Sequence, residues 1–273
     1  MQTIDLDGRR LAYTERGSGS PVLFIHGTGT YSETFAPLLD ELPESLRAIA
    51  YDRRGFGASA GPLARRLVEH VEDAAALLEA LDARPATIVG SSSGGVLALR
   101  LAVARPDLVS ALVLVEPAYQ MALVPSASAS ATISRVCLRW TLRRDHEGAA
   151  LHFYRWATTY SSGGNQFDAY PETWKRTALG HARATLRELL QAALPGPGRS
   201  ALRQIVKPTT VLIGDTGVPV FHRTARRALR AIPGAREVPV PGAAHLAYTD
   251  QPAVCTAAIV DAATTVAEPA GAH

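Results

Sequence analysis

The segment Gly90-Ser91-Ser92-Ser93-Gly94 decides how this chain folds. An apolar run precedes it and a helical pattern follows it. In that setting a G-x-S-x-G sequence forms a sharp strand-to-helix turn with an exposed serine hydroxyl. The turn is so tight that large side chains two residues before or after the serine would collide. Gly90 and Gly94 satisfy this requirement for Ser92, so the segment predicts a nucleophilic serine at position 92.

Two alternatives to this interpretation stay open. Ser91 fails the small-residue requirement because Val89 flanks it, but Ser93 lies between Ser91 and Gly95 and is a weaker candidate for the nucleophile. The other alternative is an ordinary serine-rich helix N-cap, in which hydroxyls accept hydrogen bonds from free backbone N–H groups. In that case Ser92 has no chemical role.

The sequence on either side of this segment alternates short apolar runs with helical patterns. The apolar runs cover residues 22–25, 47–51, 87–89, 112–115, 210–213 and 237–240. Between two of them, residues 67–81 carry apolar side chains at the 4-3-4-3 spacing of an amphipathic helix. Strands that are apolar throughout and alternate with helices predict an α/β fold, with a mostly parallel central sheet and helices on both faces.

The alternation stops between residues 118 and 207. We predict a mostly helical insertion here, with helices at residues 135–144 and 177–193. The predicted organisation is therefore a core of residues 1–117 and 208–273 and a helical cap of residues 118–207, and we expect the last residues, 268–273, to fray. The insertion is rich in aromatic residues, namely Trp140, Phe153, Tyr154, Trp156, Tyr160, Phe167, Tyr170 and Trp174.

The loop His26-Gly27-Thr28-Gly29 directly follows the first of the apolar runs. A backbone N–H from such a loop supplies one half of an oxyanion hole, and the N–H of the residue after the nucleophile supplies the other half. This assigns the two donors to Thr28 and Ser93, while His26 orients the loop. A phosphate-binding loop is the rival interpretation, but the sequence lacks the Gly-Lys-Ser/Thr pattern that such a loop needs.

The loop Pro241-Gly242-Ala243-Ala244-His245 follows the last apolar run. A histidine on a loop of small residues can approach a serine at a neighbouring strand end, as a general base must. A lone loop histidine is more often only solvated. The position of His245 relative to the two earlier loops favours the role of base.

These three loops, together with residues 51–59 (YDRRGFGAS), resemble the α/β-hydrolase fold superfamily. The resemblance covers residues 1–117 and 208–265. The order of the motifs is specific for the fold and much less so for the substrate. It implies that the insertion is the cap domain that such enzymes carry. We expect Asp52, at the end of a strand, to pair with Arg53 or Arg54.

The acid that orients the histidine departs from the commonest pattern of this superfamily. Many members place an aspartate three residues beyond the glycine that ends the penultimate strand, but here that position is Gly217, and Asp215 lies two residues early. Glu116 instead follows the run 112–115, and a subset similar to dehalogenases and some lactonases takes its acid from that strand. The resemblance therefore assigns Glu116. The alternatives are a structural carboxylate before Pro117 and an acid role for Asp215.

Together these assignments predict a serine hydrolase that cleaves an ester or lactone of an apolar small molecule through an acyl-enzyme on Ser92. His245 takes the Ser92 proton, and Glu116 fixes the tautomer of the imidazole ring. This chemistry needs no metal or organic cofactor, and the histidines show no metal-ligand spacing. The alternatives are a cofactor-independent perhydrolase of haloperoxidase type, a C–C bond hydrolase, and a non-catalytic ligand-binding protein of the same fold.

Composition excludes several other classes of protein. The 273 residues are 47% hydrophobic and 19% charged, as in ordinary globular chains, and two cysteines do not make a disulfide framework. The net charge of +3 does not indicate nucleic-acid binding, because the arginines are scattered. With no signal-peptide or membrane-span pattern, we expect a cytoplasmic protein whose partner is a small-molecule substrate. The oligomeric state stays open, a homodimer included.

Overall fold

The computed structural model describes residues 1–59, 62–192 and 196–265. Its central sheet has eight strands: β1 (Gln2–Leu6), β2 (Arg9–Arg16), β3 (Ser20–Ile25), β4 (Leu46–Tyr51), β5 (Ala86–Ser91), β6 (Val109–Val115), β7 (Thr209–Gly214) and β8 (Arg236–Val240). Their order is β1-β2-β4-β3-β5-β6-β7-β8. The β1–β2 and β2–β4 pairs are antiparallel and the others parallel. The predicted α/β fold with a mostly parallel sheet is confirmed.

Helices cover both faces of the sheet and fill the segment between β6 and β7. They are α1 (Ala36–Glu41), α2 (Leu67–Ala80), α3 (Ser93–Ala104), α4 (Ala127–Leu142), α5 (His146–Ala157), α6 (Gln166–Ala169), α7 (Glu172–Gly180), α8 (Ala182–Ala192), α9 (Arg199–Leu202), α10 (Pro219–Leu229), α11 (Ala247–Asp250) and α12 (Pro252–Thr265). Within the described ranges, no helix is both long enough and apolar enough to cross a membrane.

The two faces of the sheet are buried by different helices. On one face, Leu23 and Ile25 of β3 belong to an apolar cluster with residues of α2, α3 and α10. On the other, Val22 and Phe24 belong to a cluster with residues of α1 and α12. Because successive side chains of a strand point to opposite faces, a strand covered on both sides must be apolar at every position. This explains the uninterrupted apolar runs of the sequence.

Helices α4 to α9 lie within residues 118–207, hereafter the helical insertion. Its side chains form a third apolar cluster that includes Phe153, Phe167 and Leu186 and continues onto Val220 and Phe221 of α10. The insertion therefore packs on the core through α10 instead of standing apart from it. Its division from the core as a cap domain stays a prediction.

Two helix boundaries in the insertion differ from the sequence-based expectation. Helix α4 begins at Ala127, not at residue 135, because the Ser126 hydroxyl accepts the Ala129 N–H and caps an earlier start. The helix predicted at 177–193 is two helices, α7 and α8, which break at His181. Glycine at position 180 weakens a helix, and the His181 ring accepts a hydrogen bond from the Gly57 N–H of the core. Residue 193 lies outside the described residues, as does the tail 268–273.

Candidate active site

The loops that follow β3, β5, β6 and β8 meet at one edge of the sheet, because parallel strands end on the same side. Ser92 occupies the turn between β5 and α3 with φ 54° and ψ −117°. Such a conformation is strained for a residue with a side chain and persists only where the surroundings hold it. A Cβ at Gly90 would lie 2.6 Å from the Gly94 carbonyl oxygen, and one at Gly94 would collide with the Ile25 carbonyl. Both glycines are therefore required by close packing of the backbone.

Three of the predicted site residues form one chain of contacts. His245 Nε2 lies 2.9 Å from Ser92 Oγ, and His245 Nδ1 lies 2.9 Å from Glu116 Oε2. The side chains of His245 and Glu116 are 4% and 0% exposed, so water does not compete for the contact between them. The structure thus brings together the predicted nucleophile, base and acid at hydrogen-bond distances.

Glu116 is held by the backbone of the neighbouring strand. It follows β6 with φ 41°, its N–H donates to the Leu212 carbonyl, and its Oε1 accepts the Gly214 N–H at 3.1 Å. Burial raises the pKa of the Glu116 carboxyl, and the Gly214 N–H opposes this. His222 Nε2 lies 3.3 Å from the same Oε1. Both carboxylate oxygens therefore face polar hydrogens, which a buried charge needs.

The alternative acid, Asp215, lies elsewhere. Its side chain accepts the Gly242 N–H at 2.8 Å, next to the turn after β8. Gly217, at the position where many superfamily members carry the acid, packs against the backbone of the histidine loop: a Cβ there would lie 3.2 Å from the His245 nitrogen. In this structure Glu116 is the carboxylate that contacts His245.

The His245 ring is enclosed by α10. Phe221 stacks on it with ring centroids 3.5 Å apart and planes 20° from parallel. Burial, and then the charge of His222, lower the pKa of His245 to about 3. The ring is therefore neutral at pH 7 and free to accept a proton from Ser92 Oγ.

The loop after β3 lies against the nucleophile. A Cβ at Gly27 would be 3.0 Å from Ser92 Cβ, and Thr28 Oγ1 lies 3.0 Å from Ser93 Oγ. Among the hydrogen bonds of the described residues, none uses the backbone N–H of Thr28 or Ser93. An oxyanion hole needs donors without an internal acceptor, and its assignment to Thr28 and Ser93 stays a prediction.

His26 fixes the direction of this loop, as expected from the sequence. Its Nε2 accepts the Arg53 N–H at 3.0 Å, and its Nδ1 lies 2.9 Å from the Gly27 carbonyl oxygen. Burial and the charge of Arg53 keep the pKa of His26 well below its usual value, so the ring is neutral.

The expected pairing of Asp52 with Arg53 or Arg54 is wrong. Asp52 instead accepts backbone N–H groups of Ser32 and Ala58. Arg54 pairs with Asp73 of α2, and Arg53 pairs with a carboxylate of the helical insertion, described below. These partners are distant in sequence, so the dipeptide alone could not indicate them.

A small apolar cavity of about 40 Å³ opens beside Ser92 and His245. Core residues 27–31 form one wall, and the helical insertion forms the other with Phe153, Tyr154, Phe167 and Trp174. Trp140 and Trp156 are not among the lining residues. The described residues contain no group of three or more His, Cys, Asp or Glu side chains that could hold a metal ion.

Sequence reasoning missed Glu188 on α8, whose carboxylate reaches the side chains of Thr28 and Ser93. Glutamate on an amphipathic helix is ordinarily a surface residue. No local signal marks this one, because its burial depends on how α8 docks on the core.

The sheet order, with a serine on the β5–α3 turn and a histidine after β8, defines the α/β-hydrolase class of folds. A sequence profile of the alpha/beta hydrolase family matches residues 22–258, so the chain belongs to that family of enzymes. The chain is therefore a hydrolase of this fold.

Relatives within the family carry several activities in their names. The chain is 29% identical to a protein of Mycobacterium tuberculosis provisionally named non-heme bromoperoxidase BpoC, over 92% of this chain and 96% of that protein. A thermophilic esterase from Thermogutta terrifontis superposes with a TM-score of 0.80 and 25% identity, covering 97% and 99% of the two chains. The enol-lactonase of Burkholderia xenovorans shares the fold, with a TM-score of 0.80 and 20% identity over 96% and 100%.

Proposed function

We propose that this enzyme is a serine hydrolase that cleaves an ester or lactone of an apolar small molecule. The observation that carries the proposal is the contact chain from Ser92 Oγ through His245 to Glu116, which ends at an apolar cavity. The esterase and lactonase among the compared structures are consistent with it.

In the proposed mechanism, Ser92 Oγ attacks the substrate carbonyl while His245 Nε2 takes the hydroxyl proton. Glu116 accepts the Nδ1–H and stabilises the imidazolium that forms. The N–H groups of Thr28 and Ser93 donate to the oxyanion, each worth about 3–4 kcal/mol in comparable sites. The tetrahedral intermediate collapses to the acyl-enzyme, and the alcohol leaves with the proton from His245. A water molecule, deprotonated by His245, then releases the acid and restores Ser92.

The cavity supports the proposed substrate class. Its walls are mostly apolar or aromatic, and a volume of about 40 Å³ holds only a few water molecules. An ester larger than a short acyl group needs the helical insertion to move away from Ser92 before it can enter. The insertion is thus proposed to act as a cap that excludes water from the acyl-enzyme.

Serine-directed labelling tests the nucleophile. A fluorophosphonate should add once, on the peptide that carries Ser92, and Ser92→Ala should abolish the adduct. Ser91→Ala is the matched control, because Ser91 is the last residue of β5, next to Ser92, and lies outside the contact chain. An undiminished adduct in Ser92→Ala would point to Ser93 instead. The absence of any adduct in the wild-type enzyme would favour the non-catalytic alternative.

A panel of aryl esters and macrolactones tests the reaction. Turnover of at least one ester or lactone by the wild-type enzyme, and none by Ser92→Ala, is the expected result. Equal rates for the two proteins would contradict the proposal, since the reaction would then not depend on Ser92.

The relative named as a bromoperoxidase favours one second candidate, perhydrolysis. The same acyl-enzyme would then be attacked by hydrogen peroxide instead of water, which releases a peracid and restores Ser92. Incubation with a short-chain ester and hydrogen peroxide, followed by assay of the peracid, compares the two acceptors. If more peracid than acid forms from the ester consumed, perhydrolysis is the main reaction.

A further inference from the structure

A buried ion pair joins the helical insertion to the core directly behind the active site. Arg53 follows β4 and Glu188 lies on α8, with side chains 0% and 3% exposed. Arg53 Nη1 donates to Glu188 Oε1 at 3.1 Å and Nη2 to Oε2 at 3.0 Å. The pair is bidentate, the geometry that fixes two planar groups relative to each other.

The same pair contacts both residues assigned to the oxyanion hole. Glu188 Oε1 accepts the Ser93 hydroxyl at 2.8 Å and lies 3.0 Å from Thr28 Oγ1. Arg53 Nη2 also donates to the Gly27 carbonyl at 2.9 Å. One carboxylate from the insertion thus holds the loop after β3 and the first residue of α3 at a fixed separation.

From these contacts we propose that Glu188 and Arg53 are positioning residues for the oxyanion hole, which is complete only when α8 is docked on the core. The inference rests on the proposed serine-hydrolase function. Its consequence is that closure of the insertion and assembly of the two N–H donors are one event. An open enzyme would then bind an ester without stabilising the oxyanion.

The charges of the pair fit this role. Burial, the largest single effect, raises the pKa of the Glu188 carboxyl, but the charged and hydrogen-bonding groups around it, Arg53 foremost, together outweigh burial. The pKa therefore lies below its usual value, and Glu188 is ionised. A lone carboxylate so close to a developing oxyanion would oppose the reaction, because like charges repel strongly in a buried site. Arg53 cancels that charge, and Glu188 keeps its hydrogen bonds to both hydroxyls.

Removing one member of a buried pair leaves an unpaired charge and can unfold a protein, whereas replacing both by apolar residues is often tolerated. The first variant is therefore R53M/E188L. We expect its kcat for an aryl ester to fall about 100-fold, the scale of losing an oxyanion donor. KM should change little, because the apolar cavity walls remain.

A second variant leaves the ion pair in place. Thr28→Val removes only the hydroxyl that contacts Glu188 and should lower kcat about tenfold, since a small misplacement of a donor is costly. Thr28→Ser keeps a hydroxyl and should recover most of the kcat that Thr28→Val loses. Gln191→Ala is the matched control: Gln191 is also on α8 and bonds the carbonyls of Ala64 and Arg65, away from the site.

Hydrogen exchange of the backbone amides at residues 27–30 gives a readout that does not require catalysis. It should accelerate in R53M/E188L and Thr28→Val, and stay at the wild-type rate in Thr28→Ser and Gln191→Ala. If the wild-type enzyme turns over no ester, the proposed function fails while this measurement still decides the positioning role.

Three results would overturn the inference. One is an unchanged kcat and unchanged exchange in folded R53M/E188L. Another is a raised KM at constant kcat, which would indicate substrate binding instead. The third is an equal loss of kcat in Gln191→Ala, which would mean that α8 acts only through general docking. If R53M/E188L does not fold, the comparison of Thr28→Val with Thr28→Ser decides the question. Equal kcat and equal exchange in these two variants would overturn the positioning role.

Discussion

His245 Nδ1 contacts Glu116 Oε2 at 2.9 Å, so the carboxylate in the site comes from the end of β6, the strand next to that of the nucleophile. The loop after β7, the commoner source in this family, contributes only Gly217 at the corresponding position. A side chain at 217 would press on the histidine loop, whereas the carboxylate of Glu116 reaches the ring from β6 and is anchored by Gly214.

Glu116→Gln should lower kcat by several orders of magnitude. The glutamine oxygen can still accept the Gly214 N–H, which turns the amide NH₂ toward His245 Nδ1 and forces the tautomer that cannot accept the Ser92 proton. Asp215→Asn should cost at most tenfold, or about 1.4 kcal/mol in the barrier. The kcat values of the two variants are the measurement. The reverse order would show that Asp215 is the acid and that Glu116 is structural.

The parts of this molecule that sequence could predict are those encoded by neighbouring residues. The inner parallel strands, such as β5 and β7, are buried along their whole length and read as apolar runs. The tight turn at Ser92 needs Gly90 and Gly94 close by in the sequence. The His245 loop could be recognised because small residues immediately precede it.

The parts that could not be predicted depend on tertiary docking. The break between α7 and α8 lies where His181 meets Gly57 of the core. The partner of Arg53 is Glu188, far along the chain. Neighbouring residues alone suggest the adjacent Asp52 as the partner, which is wrong. A contact between distant polar residues has no periodicity that sequence analysis could detect.

The acid limb of the kcat/KM profile should lie below pH 6.5, the ordinary pKa of histidine. Burial disfavours the imidazolium and lowers the pKa of His245, and activity requires the neutral ring. Activity should therefore be lost only as pH falls well below 6.5. Phe221→Ala admits water to the ring and should move the limb upward, whereas Val220→Ala, on the same helix, should not. A wild-type midpoint at or above 6.5 would contradict the prediction that burial outweighs the neighbouring Glu116 carboxylate in setting the pKa of His245.

The aromatic wall of the cavity should set substrate preference. Trp174→Ala enlarges the space beside Ser92, so the ratio of kcat/KM for a hexanoate to that for an acetate aryl ester should rise about tenfold or more. Trp140→Ala is the control, because Trp140 packs in the insertion without lining the cavity. If both variants change the ratio equally, packing of the insertion and not cavity shape determines the preference.

The stability of the fold should depend on pH through His70 of α2. Its side chain is 2% exposed, and within the described ranges its Nδ1 has no hydrogen-bond partner. Burial, and then the charge of Arg53, lower the pKa of His70 to about 3. Below pH 6.5 the unfolded chain binds a proton that the folded chain cannot accept until about pH 3. The free energy of unfolding therefore decreases as the pH is lowered from 6.5 to about 3.

Between pH 7 and pH 5, His70 alone should account for a loss of about 2 kcal/mol in the free energy of unfolding. His70→Leu removes this proton-linked loss. Between pH 7 and pH 5, the decrease in its free energy of unfolding should therefore be smaller than the wild-type decrease by that amount. Urea titrations of the wild-type protein and His70→Leu at both pH values measure the difference. A pH dependence in His70→Leu equal to that of the wild-type protein would show that His70 is protonated in the folded state and that its burial does not exclude the charge.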